Sequence, residues 1–242
     1  MAEQAGGAQM SVVIVFILVI AGISLWWLSH QRLLSKPWLE LGVDVIDGTP
    51  PSLMPTEKIG LGVFLAVVGC LFALFASAYF MRMELSDWQA MPLPGILWFN
   101  TLVLVLSSVA LQIAVAASRR EQIQTVRLAL VTGGLTSLVF LAGQLVAWRQ
   151  LNATGYLLNA NPANSFFYLL TALHGLHIIG GIIGLGRTMA KAWAPAPRPR
   201  LPLSVELCAM YWHFLLFIWL AILVLFAGWA AGFVEICRQL LT

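Results

Sequence analysis

Four side chains that could do chemistry within a membrane occur as two pairs in the second half of the chain. His174 and His177 are three residues apart, and Glu206 and His213 are seven apart, so each pair lies on one face of a helix. Imidazole and carboxylate groups at these spacings could bind a metal ion or haem, or relay protons. They could equally be buried groups that hydrogen-bond across helices, or hold lipid head groups near the interface.

A catalytic core that holds two haems and a copper ion needs about six histidine ligands, which is more than this chain supplies. The sequence has 4 histidines and 3 cysteines, without a C-x-x-C or a C-x-x-C-H motif. We therefore predict no catalytic, cofactor-binding or metal-binding residue, and favour a cluster for packing and lipid contact. We expect its two paired histidines to be neutral and hydrogen-bonded to a neighbouring helix, and its carboxylate to reach water or a head group. The cluster consists of His174, His177, Glu206, Tyr211, Trp212 and His213.

The elements that position these residues are membrane-spanning helices. The chain is 60% hydrophobic and 10% charged, with a mean hydropathy of +0.89, whereas a soluble domain carries about 25% charged residues. Long apolar runs free of charge predict helices. We predict an all-α integral membrane protein in which an N-terminal helix and a Pro-containing linker (1–56) precede a five-helix bundle (57–242). The six predicted spans are 10–28, 57–81, 94–117, 126–148, 164–187 and 204–230.

The distribution of basic residues predicts the orientation in the membrane. Ten of the 13 Lys and Arg residues fall in the loops 29–58, 118–127 and 187–203. Because basic loops stay in the cytoplasm, both termini are predicted to lie outside. The first ten residues contain no Lys or Arg, so the first span is interpreted as a retained helix rather than a signal peptide. Basic residues do not cluster with aromatic ones, and a nucleic-acid partner is not predicted.

Small and amide residues within the spans predict how the helices pack. Gly180 and Gly184 form a Gly-x-x-x-Gly step, which is expected to let a neighbouring helix come close. Gln112 and Gln144 are expected to form hydrogen bonds between helices.

Several longer motifs together resemble one known family. The chain is similar to subunit III of haem–copper oxidases over residues 57–230, in collinear order. The stretch AYFMRM (78–83), with Asp87 and Trp88 after it, is similar to the variant in bacterial cytochrome c oxidases. The other motifs that carry the resemblance are LWFNTLVLVLSSVALQ (97–112), FLAGQLVAWRQL (140–151), NPANSFF (161–167), FFYLLTALHGLHIIGG (166–181) and YWHF (211–214).

The resemblance implies a non-catalytic subunit of a terminal oxidase in aerobic respiratory electron transport, in the inner membrane of a bacterium. Its implied partners are the haem-bearing subunit I, other oxidase subunits and membrane lipids. The family carries no metal, leaves haem and copper to its partners, binds phospholipid in a cleft, protects the enzyme during turnover and supports proton uptake. Many members have a carboxylate in the first helix of the five-helix unit, where this chain has Val67 and Val68.

Two other functions are compatible with a five-helix pattern of this kind. One is an accessory subunit of nitric oxide reductase. The other is a small transporter with its site at His174, His177 and His213. The transporter is disfavoured because the chain shows no internal repeat and its last three spans contain no proline in their interiors.

Overall fold

The computed structural model describes residue 22 and residues 55–89, 91–194 and 200–227. The predicted first span, 10–28, lies outside the described residues except for Gly22, which is helical. The described part contains five long helices and no strand, and each helix is long and apolar enough to cross a membrane. The all-α membrane fold is therefore confirmed, with five spans in the described residues rather than six.

Three of the five helices extend at both ends beyond the apolar runs that predict them. Hydropathy marks only the apolar part of a helix, whereas backbone hydrogen bonding continues into the interface, as it does over the polar residues 149–153. The last described helix ends at Phe226, and residues 228–230 of the last predicted span lie outside the described residues. The helices are α1 (Thr56–Met83), α2 (Ile96–Arg119), α3 (Ile123–Ala153), α4 (Pro162–Trp193) and α5 (Leu201–Phe226).

Local sequence signals set the helix ends. Asn161 caps α4 by accepting a hydrogen bond from the Ala163 amide (3.2 Å), and Pro162 follows it with a backbone angle suited to a first helical turn. Gly155, with φ of 88°, ends α3 in the left-handed conformation that glycine adopts without strain. Glu121 takes the same role after α2 with φ of 57°.

The core of the bundle is formed by α2, α3, α4 and α5. The most extensive interface joins α2 and α3, while α5 packs on α2 and α4. The outlying helix is α1, which packs on α4 and α5 and buries only Val68, Phe72 and Tyr79. Side chains that are fully enclosed (0% exposed) include Leu104, Leu111, Leu130, Phe140, Ile178 and Leu215.

The alternation of the helices brings the described basic residues of the loops 118–127 and 187–203 to one end of the bundle. There the Arg127 guanidinium of α3 donates to the Ala192 carbonyl of α4 (3.0 Å), and Lys191 donates to Ser204 of α5 (2.9 Å). At the opposite end, Tyr79 packs edge-on against an aromatic cluster. The rings around Tyr79 are Trp88, Phe166 and Phe226. The predicted grouping of the loops agrees with the described helices, and the side of the membrane on which each end lies stays a prediction.

Candidate polar site within the bundle

His174 lies in the centre of the bundle, fully buried on α4. Its ring centroid is 5.3 Å from that of Trp219, 5.7 Å from that of Phe140 and 6.5 Å from that of Phe72. Neither ring nitrogen has a hydrogen-bond partner among the described residues. The predicted hydrogen bond to a neighbouring helix is therefore wrong for His174, because aromatic rings from three other helices enclose the imidazole.

His177 is half-buried one turn further along α4. Its Nδ1 lies 2.8 Å from the Leu173 carbonyl, so its ring bonds to its own helix and not to a neighbour, contrary to the prediction. The link between helices uses the backbone instead. The Tyr211 hydroxyl of α5 donates to the His177 carbonyl (2.8 Å). Tyr211 thereby fixes the spacing of α4 and α5 at the level of the histidine pair.

Trp212 anchors a buried polar network between α5, α3 and α2. Its indole Nε1 donates to the Ser137 hydroxyl (2.9 Å), and Ser137 donates to the Gly133 carbonyl (2.7 Å). The Ser107 hydroxyl lies 2.9 Å from the Ser137 hydroxyl. Trp212 is only 1% exposed, so its polar atom is satisfied within the protein, as burial in an apolar medium requires. The packing role predicted for Trp212 stays a prediction.

On α4 the close approach that small residues permit occurs at Gly181 and not at the two glycines of the Gly-x-x-x-Gly step. A Cβ atom on Gly181 would lie 2.7 Å from Tyr211 Cε1 and 2.9 Å from Trp212 Cη2. A Cβ atom on Gly180 or Gly184 would meet nothing within 4 Å. The helix phase explains the difference, because Gly181 faces α5 while Gly180 and Gly184 lie on the outward face of α4.

Glu206 forms an ion pair that sequence reasoning missed. Its Oε1 lies 2.7 Å from Lys58 Nζ at the start of α1 and 3.9 Å from Arg119 Nη2 at the end of α2. These side chains are partly exposed, as the prediction of contact with water requires for Glu206. The signal that could have found the pair is the distribution of basic residues, which assigns Lys58, Arg119 and the start of α5 to the same side of the membrane.

His213 lies on the outer surface of α5, two turns from Glu206. Its Nδ1 contacts the Ala209 carbonyl of its own helix. Since a carbonyl only accepts, Nδ1 donates in this contact. Leu65 of α1, together with Gln112 and Arg119 of α2, lines a cleft of about 430 Å³ in front of His213 and Glu206.

The two glutamines of the spans behave differently. Gln144 is buried and accepts from Asn100 Nδ2 over 3.4 Å, as predicted for a contact between helices. Gln112 is exposed and has no side-chain hydrogen bond to the described part of the chain. The prediction for Gln112 is therefore wrong, because its helix turns this residue out of the bundle.

A second, apolar cavity of about 520 Å³ lies between α3 and α4 at the end opposite the basic loops. Its polar side chains are already bonded within the protein: the Trp148 indole donates to Thr171 (3.1 Å), and Ser165 donates to the Leu158 carbonyl (2.6 Å). The cavity therefore offers an occupant only apolar surface, from Trp148, Leu158, Tyr168, Leu169 and Ala172.

The candidate residues do not converge on one centre. Within residues 55–89, 91–194 and 200–227, no group of three or more His, Cys, Asp or Glu side chains is arranged to hold a metal ion. His174 and His177 share Phe72 as a ring neighbour, whereas His213 faces the cleft between α1 and α2. At the positions where the resemblance expects a carboxylate, Val67 is 64% exposed and Val68 is buried.

These features define a helical, multi-pass membrane protein whose intramembrane polar groups chiefly join its own helices. The model of one family, described as cytochrome c oxidase subunit III, matches residues 58–231. The chain belongs to the cytochrome c oxidase subunit III family, as the sequence motifs predicted.

Individual relatives agree with the family. The chain is 32% identical over 139 residues to a protein of Mycobacterium tuberculosis named probable cytochrome c oxidase subunit 3, which covers 57% of this chain and 65% of the relative. It is 27% identical over 178 residues to cytochrome c oxidase subunit 3 of Synechocystis, covering 70% and 74% of the two chains. It is 28% identical over 172 residues to cytochrome c oxidase subunit 3 of Thermostichus vulcanus, and this match covers 69% of this chain and 84% of the relative. The match to the mycobacterial relative thus spans less than two thirds of that protein.

Proposed function

We propose that this chain is a non-catalytic subunit of a haem–copper terminal oxidase in aerobic respiratory electron transport. It stabilises the haem-bearing catalytic subunit in the inner membrane of a bacterium, with both of its own termini outside. Haem and copper belong to the partner subunits, and this chain contributes to cytochrome c oxidase activity without a redox centre of its own.

The observation that carries this proposal is that polar side chains within the bundle bond one helix of this chain to another. Trp212 bonds to Ser137, Tyr211 bonds to the His177 backbone, and Glu206 pairs with Lys58. Each bond joins two helices, so these groups hold the bundle together rather than converging on a substrate. A rigid bundle of this kind suits a subunit that supports a neighbouring subunit. The family match over residues 58–231 indicates that this neighbour is another subunit of an oxidase.

A bound phospholipid is part of the proposal. The apolar cavity beside Trp148 and Tyr168 suits an acyl chain, because its polar side chains have partners inside the protein. Aromatic side chains of this type gather at the level of the lipid head groups, so the cavity lies where an acyl chain begins. Contact of Glu206 and His213 with lipid remains a prediction.

Support of proton uptake by the partner is proposed to be indirect. His174 is enclosed by aromatic rings and has no hydrogen-bonded neighbour in the described part of the chain, so it ends any path rather than relaying protons. The chain would act by keeping the partner's own uptake surface in place and hydrated.

Removal of this chain from the oxidase tests the proposal. In membranes from a deletion strain, the haem spectrum and the initial rate of oxygen consumption should persist, while activity should decline early during sustained turnover. Expression of the full chain from a plasmid should restore the sustained rate. If the deletion left sustained turnover unchanged, or if it removed a haem signal that belongs to the chain itself, the proposed role would be wrong.

A further inference from the structure

We draw no further inference here: the strongest candidate, the cleft of about 430 Å³ between α1 and α2 that His213 and Glu206 line, is uncovered only among the described residues, and nothing in the structure shows what covers it.

Discussion

Lys58 at the start of α1 and Glu206 near the start of α5 form an ion pair, with Nζ 2.7 Å from Oε1 across 148 positions of sequence. This pair ties the outlying helix to the bundle at one end, while the aromatic cluster around Tyr79 holds it at the other. Between these ends α1 buries few side chains, so its position depends on the two attachments.

Glu206→Gln should loosen α1 at the end that holds the basic loops. Both side chains are partly exposed, so the expected loss of stability is below about 1 kcal/mol. A water-soluble carbodiimide should join Lys58 to Glu206 in the unmodified chain, giving a peptide that links α1 to α5 in a mass spectrum. The exchange Lys58→Glu with Glu206→Lys should recover the crosslink. Its appearance in Glu206→Gln would show that another carboxylate is the true partner.

Gly181→Ala should destabilise the bundle, whereas Gly180→Ala should not. The added methyl group on Gly181 would lie within 3 Å of the Tyr211 and Trp212 rings, and overpacking of this kind costs about 1–3 kcal/mol. The control at Gly180 meets open space. Unfolding of the two variants in mixed detergent micelles gives the comparison. Equal midpoints would contradict the described packing of α4 on α5.

Ser137→Ala should leave the Trp212 indole without its hydrogen-bond acceptor in a buried site. We expect a loss of about 1 kcal/mol, as is typical of hydrogen bonds between membrane helices. Trp212→Phe removes the donor, so the double variant should cost less than the sum of the single variants. Additive costs in the same unfolding assay would mean that the bond contributes nothing. Thr132→Ala, an exposed change on α3, serves as the control.

The pKa of Asp87, in the loop after α1, should lie below its usual value because the Arg82 guanidinium donates hydrogen bonds to its carboxylate. A lowered pKa means that the pair contributes fully above the usual value of about 3.9, and that its contribution is lost as pH falls through the lower folded pKa. Carbon-detected NMR of labelled Asp87 measures the midpoint. Arg82→Gln should return it towards the usual value, and an unchanged midpoint would contradict the pair.

The spanning helices were predictable because the membrane imposes a length and a composition on each one. The ends of the helices were less predictable. For example, α3 continues to Ala153, because helical hydrogen bonds extend beyond the end of the apolar run. Asn161 and Pro162, by contrast, mark the start of α4 with local signals. Hydropathy therefore fixes where a helix lies, and caps fix where it begins.

Contacts between distant helices could not be predicted from one sequence. The cost of an imidazole in hydrocarbon indicated that His174 needs shelter, but not that Phe140 and Trp219 provide it. A Gly-x-x-x-Gly step marks a face that allows close approach, and the phase of α4 decides that Gly181 rather than Gly180 meets α5. Each of these outcomes depends on how helices rotate against one another, which their own sequences do not specify.

Purification of the tagged full chain in mild detergent, followed by an optical spectrum and mass spectrometry, tests the oxidase assignment most directly. The preparation should contain a haem-bearing subunit in fixed proportion, and the chain separated from that subunit should show no haem absorbance. Stoichiometric haem on the separated chain, or a chain that purifies without any oxidase subunit, would contradict its assignment as a non-catalytic oxidase subunit.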